Sequence, residues 1–126
     1  MEHTHESTPR HIAHSFRDAF AGLFTVWSEE RNFRVQVVAA VLVGIAMFSL
    51  GFDYLETAIV IFAIVLVLTT EVVNTAFEDA MNKIEPHHDP LVGRIKDIAA
   101  GAVILSVIGA VVIGILVFGH HFFLFR

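Results

Sequence analysis

The chain has 126 residues, 56% of them hydrophobic and only 17% charged, with a mean hydropathy of +0.71. That is one domain's worth of chain, and too apolar for a soluble domain of this size. A formal net charge of −5 argues against a nucleic-acid partner, and the lack of cysteine excludes disulfides, thiolate metal sites and a cysteine nucleophile.

The chain opens on a polar tail, residues 1–10, without the basic region and adjoining apolar run of a secretory signal. Ile12, Phe16, Ala19, Phe20, Leu23, Phe24 and Trp27 then recur at helical spacing, with Arg17, Asp18 and Ser28 between them. This pattern predicts an amphipathic helix over about 11–30, lying in a membrane interface. An uncharged stretch over about 35–52 follows, carrying one amide, Gln36. The loop GFDYLE leads to a second apolar stretch over about 55–81, and a third covers about 97–119. Each comes close to the roughly 20 apolar residues that a helix needs to cross a bilayer. The expected fold class is therefore an all-α membrane protein. It has three transmembrane helices plus an N-terminal amphipathic surface helix, with residues 11–126 forming one domain.

Basic residues predict the orientation. Arg10, Arg17, Arg31 and Arg34 precede the first span, Lys83, Arg94 and Lys96 lie between the second and third, and the first loop has none. The positive-inside rule then places the N-terminus and the second loop in the cytoplasm, and the first loop and the tail HHFFLFR outside. In the third span Ala102, Ser106, Ala110 and Gly114 recur every four residues, a small-residue ladder that permits close helix approach in lipid. Three thin spans with polar inward faces point to an oligomer.

The most informative residues are Glu71, Asn74 and Glu78, in the segment LTTEVVNTAFEDAMN. Spacings of three and four put them on one helix face. Ionisable groups at the end of a membrane span are costly and mark a site more often than an accident. The plainer reading is interhelical hydrogen bonding or a solvated helix end. Asn82 continues the stripe, Glu29 and Glu30 end the surface helix, and Lys96 and Asp97 open the third span. Carboxylates and an amide oxygen suit Mg²⁺, a glutamate can accept a proton from an alcohol, and a lysine can neutralise phosphate. These are the parts that phosphoryl transfer requires. The chain has no GxxxxGK[ST], GxGxxG, HExxH or GxSxG motif. Its eight histidines fall at the ends or in loops and read as solvated or interfacial groups. A small oligomeric transporter with a carboxylate-lined path is the competing reading from another class.

EVVNTAFED followed by HHDPLVGRIKDIAAGAV resembles the prokaryotic diacylglycerol kinase family of small integral membrane lipid kinases, and SFRDAFAGLFTVWSEERNFRVQVVAAV resembles that family's surface helix and first span. The likeness covers roughly residues 12–118. ERNFR, NTA and KDIAAGAV look closer to the undecaprenol kinase branch. The resemblance implies a homotrimer in the bacterial inner membrane. It also implies transfer of the γ-phosphate of ATP, with Mg²⁺, to a membrane lipid alcohol, most closely undecaprenol, with diacylglycerol as the alternative. Carried over by motif, Glu78 is the catalytic carboxylate, and Glu30 and Glu78 hold the metal. Lys96, Asp97, Glu71, Asn74 and Arg17 bind ATP or its phosphates, while Glu71 and Ser15 meet the lipid. The chain departs from the family at Asn82, where an aspartate is usual, and at His11 and His14, where the diacylglycerol kinase branch carries basic residues. Asn82 also motivates a third reading, a kinase-derived protein that binds lipid or nucleotide without catalysis.

Overall fold

The computed structural model describes residues 9–124; the tail residues 1–8 and the terminal pair including Arg126 lie outside the described residues. Four helices follow one another: α1 (Pro9–Glu29), α2 (Arg31–Leu50), α3 (Tyr54–Ile84) and α4 (Pro90–Gly119), and the chain then tightens into a π-helical turn at His120–Leu124. Among the described residues there is no strand. Helices α2, α3 and α4 are each long and apolar enough to cross a membrane.

Local chemistry sets the boundaries. Helix α2 ends at Gly51, the residue with positive φ (72°), where the amide hydrogens of Gly51 and Phe52 close onto the carbonyls of Phe48 and Met47. Only glycine adopts this left-handed cap without steric cost. Helix α3 starts in a capping box. The Asp53 carboxylate accepts from the Glu56 amide at 2.8 Å, and the Glu56 carboxylate from the Asp53 amide at 3.2 Å. Helix α4 starts seven residues ahead of the expected span. Asp89 caps the Leu91 and Val92 amides, and Pro90 occupies the first turn, where its missing N–H costs nothing.

Between α1 and α2 only Glu30 leaves helical geometry (φ −105°, ψ 107°). The bend is held by Arg34, whose guanidinium donates to the carbonyls of Trp27 (2.8 Å) and Ser28 (3.0 Å) at the end of α1. A cation at a helix C-terminus satisfies orphan carbonyls and complements the helix dipole.

The helices outrun their apolar stretches. The 31 residues of α3 reach about 46 Å at 1.5 Å per residue, against a hydrocarbon core of about 30 Å. A polar end is thereby mounted on rigid helix rather than loop. Helices α3 and α4 form the main antiparallel pair, α2 lies against α3, and α1 touches α2 and α3. The apolar core sits at the end away from the polar stripe: Met47, Val60 and Val117, with Val43, Phe52, Ile64, Ile113 and Phe118 around them. There His121 stacks on Phe52 (3.9 Å between ring centres) and also meets the Leu50 carbonyl at 3.1 Å.

Much apolar surface is left uncovered. Ile12, Phe16, Phe20, Leu23 and Phe24 form an exposed stripe along α1, of which only Val26 is buried. The chain exposes 9875 Å², where a compact soluble protein of 14.0 kDa would expose about 6,700 Å². Exposed apolar side chains on α2, α3 and α4, such as Val41, Ile61 and Leu105, are of the kind that lipid covers.

Candidate active site

The polar side chains of α3 meet α2, α4 and the α1–α2 bend in three layers. The deepest is Glu71, only 4% exposed, whose Oε2 accepts from Gln36 Nε2 of α2 at 3.3 Å. Thr75 donates to the Glu71 carbonyl one turn back. Beside Glu71, Thr70 and Ser106 share a hydrogen bond of 2.9 Å that ties α3 to α4. The small-residue ladder of α4 thus serves packing within the chain at Ser106, and Ala110 and Gly114 line a cleft against α2 and α3.

The middle layer contains Asn74, Glu78 and Glu30. Asn74 is 9% exposed and donates to Glu78 Oε1 at 3.4 Å, while its Oδ1 is buried without a partner. Seven residues at 1.5 Å rise put Glu78 about 10 Å from Glu71 along the axis. Glu30 is half-buried at the α1–α2 bend. Burial raises its carboxyl pKa above the ordinary value, and the charges of Glu78, Glu71, Asp79 and Glu29, in that order, raise it further. Glu30 therefore lies within charge range of Glu78, 48 positions away in sequence.

The top layer is the α3–α4 turn. Lys96, half-buried on α4, reaches Asn82 Oδ1. Asp97 is exposed beside it. Arg17 and Ser15 are exposed on α1. Arg17 shares a shallow groove with Arg10, Ala13 and His14, and the Ser15 hydroxyl donates to the His11 carbonyl of its own helix. The structure therefore brings Glu30, Glu71, Asn74, Glu78 and Lys96 to one end of the bundle, and leaves Ser15, Arg17 and Asp97 on the surface.

Among the described residues no three acid or histidine side chains converge into a metal cage. Mg²⁺ is commonly held by one or two carboxylates together with substrate phosphates. The mutual repulsion around Glu30 and the unpartnered Asn74 oxygen fit a divalent cation arriving with a polyphosphate.

Sequence reasoning singled out the α3 stripe but gave no role to Gln36 or Thr70, placed Ser106 only in the packing ladder of α4 and used Arg34 only for orientation. Gln36 carried a signal, as the one amide in an otherwise apolar, uncharged run from Val35 to Phe52, apart from Ser49 and the glycines. The others look ordinary in one dimension.

Comparison with known proteins matches the family model of prokaryotic diacylglycerol kinase over residues 17–118. The chain is 30% identical over 104 residues to a diacylglycerol kinase of Escherichia coli, covering 82% of this chain and 85% of that protein. It is 35% identical over 104 residues to an undecaprenol kinase of Bacillus subtilis, with the same coverage. To a diacylglycerol kinase of Synechocystis it is 35% identical over 101 residues, covering 79% of this chain and 58% of that protein.

Proposed function

The chain belongs to the prokaryotic diacylglycerol kinase family of membrane lipid kinases, and within that family we propose that it transfers the γ-phosphate of Mg·ATP to undecaprenol. The observation that carries the phosphoryl-transfer reading is the buried Glu71 lying one layer below Glu78, whose charge is felt by Glu30 at the α1–α2 bend. ATP arrives from the cytoplasm and the alcohol from the bilayer, so the layers divide the work. Glu30 and Glu78 would hold Mg²⁺, which supplies charge neutralisation for the transferred group. Glu71, nearer the apolar core, accepts the hydroxyl proton of the lipid, a role that the motif resemblance gave to Glu78 and that its burial gives here to Glu71. As that proton passes to the Glu71 carboxylate, the alcohol oxygen bonds to the γ-phosphorus. The bond from phosphorus to the β,γ-bridging oxygen breaks, and ADP leaves. Asn74 orients Glu78 through its amide. Lys96 meets phosphate, Asp97 positions the nucleotide, and Arg17 of α1 adds a cation on the ATP side, with Ser15 at the lipid headgroup level.

The exposed stripe of α1 supports its placement in the membrane interface, and the basic residues support a cytoplasmic N-terminus and an outward C-terminus. The uncovered surface supports a homotrimer, which cross-linking in detergent tests.

The motifs ERNFR and KDIAAGAV favour undecaprenol. A diacylglycerol acceptor is the second reading, favoured by the equal identity to the Synechocystis protein. The deciding experiment presents γ-labelled ATP and Mg²⁺ with undecaprenol, diacylglycerol or ceramide in mixed micelles. Labelled undecaprenyl phosphate as the main product is expected. A higher kcat/KM for diacylglycerol reverses the order, and no labelled lipid, with nucleotide still bound, points to the non-catalytic reading.

A further inference from the structure

Glu30 is the single residue between α1 and α2. Its backbone is extended (φ −105°, ψ 107°), and its side chain makes no capping bond to the amides of α2. The carboxylate is therefore available to the polar end of α3, where it lies within charge range of Glu78 and Glu71. Packing holds α1 weakly, because Val26 is its one buried side chain. The direction of Glu30 then depends on what ties the two helix ends together.

Arg34, half-buried in the first turn of α2, is that tie. Its Nη1 donates to the Trp27 carbonyl at 2.8 Å and to the Ser28 carbonyl at 3.0 Å. Helix dipoles explain why it turns back. A cation in the first turn of α2 works against the dipole of its own helix, and no acidic residue stands in that turn to offset it. Helix α1 has no basic residue in its own last turn, so Arg34 brings to its orphan carbonyls the cation they lack. The influences on Glu30 are burial and four carboxylates, with no cation among them. Arg34 thus acts on Glu30 through the backbone and not as a counter-ion.

We propose that Arg34 is a positioning residue for the metal: by clamping the end of α1 onto the first turn of α2, it fixes the direction of the Glu30 carboxylate and thereby the affinity for Mg²⁺ bound with nucleotide. The inference rests on Glu30 and Glu78 holding that ion. In this role Arg34 touches neither metal nor phosphate. Mg²⁺ demands near-ideal octahedral geometry, so a carboxylate that swings weakens the ion's hold more than the nucleotide's.

The test measures binding of a non-hydrolysable ATP analogue to the protein in detergent micelles, with and without Mn²⁺. The electron paramagnetic resonance signal of Mn²⁺ reports the bound ion, and the ratio of the two affinities is the metal's contribution. Arg34→Met keeps an apolar stem and removes the donors. It should cut that ratio by about tenfold or more, the scale of a lost hydrogen bond from a charged group, and leave metal-free binding at the wild-type level. In turnover the KM for Mg·ATP should rise, while kcat at saturating Mg·ATP and the lipid KM hold. Arg31→Met removes the same charge from an exposed position beside Glu30 and should behave as wild type. Trp27, the one tryptophan of the chain, reports the bend directly, and its emission should become more open to acrylamide quenching in Arg34→Met. An unchanged ratio, unchanged quenching, or an equal loss in Arg31→Met overturns the inference. So does a fall in kcat at saturating Mg·ATP, which marks a general structural role. If Arg34→Met does not assemble, Arg34→Lys decides. It keeps the charge but loses the planar fork, so the ratio should fall roughly two- to fivefold, and a wild-type ratio overturns the inference. Glu30→Gln separates the two readings. If it keeps the wild-type ratio, the metal assignment falls and the inference with it; if it loses the metal's contribution while Arg34→Met does not, this inference alone falls.

Discussion

Replacing Glu71 by glutamine separates catalysis from packing. Glutamine is nearly isosteric, and its side-chain oxygen can still accept from Gln36 Nε2, now at 3.3 Å from Glu71 Oε2. The bond changes from one at a charged group, about 1.5–3 kcal/mol, to a neutral one of about 1 kcal/mol. Against that loss, a neutral amide costs less to bury than a carboxylate at a position only 4% exposed. The two effects oppose each other, so stability should stay within about 1 kcal/mol and Tm within about 4 °C. Activity should not survive in the same way. An amide cannot take the hydroxyl proton, and losing a positioned general base costs about 10²- to 10⁴-fold. That is about 3–5 kcal/mol on the barrier. Labelled-phosphate transfer to undecaprenol at saturating Mg·ATP measures the first quantity, and thermal unfolding followed by circular dichroism measures the second. Turnover within about tenfold of wild type would show that another group, or water, takes the proton.

Glu78→Gln should also abolish transfer at ordinary Mg²⁺, with partial recovery as the metal is raised; inactivity that ignores the Mg²⁺ concentration would place the metal elsewhere. For Glu30 the linkage sign is definite. Its carboxyl holds a proton more tightly in the folded chain than in the unfolded one, so its share of stability is present below the ordinary carboxylate pKa and is lost as pH rises through the raised value. Metal-free protein unfolded from about pH 4 to about pH 8 should therefore lose stability on the way up, and Glu30→Gln should flatten that slope; an unchanged slope would remove Glu30 as its source. Asn82→Asp should leave turnover unchanged or raise it, because the new carboxylate pairs with Lys96, an exposed pair worth about 0–1 kcal/mol, and adds charge near the metal. A steep fall in kcat at saturating Mg²⁺ would mean that this end of the site is built around the amide.

The sequence by itself determined the class of fold and one face of the site. Bilayer thickness sets the length of an apolar helix, so three apolar runs could be read as three spans. The α3 stripe was legible because Glu71, Asn74 and Glu78 follow helical periodicity on a single element. Local capping chemistry was also written in short segments, in Asp53 with Glu56 and in Asp89 with Pro90, although the early start of α4 fell outside its apolar run.

Only the tertiary structure decided which groups share a layer. Gln36 meets Glu71, Glu30 comes within charge range of Glu78, Lys96 reaches Asn82, and Thr70 meets Ser106. Each pairing depends on the rotation of two helices about their axes and on their relative height. In water an amphipathic stripe fixes that rotation, because one face must be buried. A span that is apolar all round carries no such mark, since lipid and neighbouring helix are equally apolar to it. Small contacts such as the 2.9 Å Thr70–Ser106 bond, and the bend that Arg34 holds, fix the register instead. Hence the polar groups on one helix could be read in advance, while the layers they form with Gln36, Glu30 and Lys96 required the helices to be set side by side.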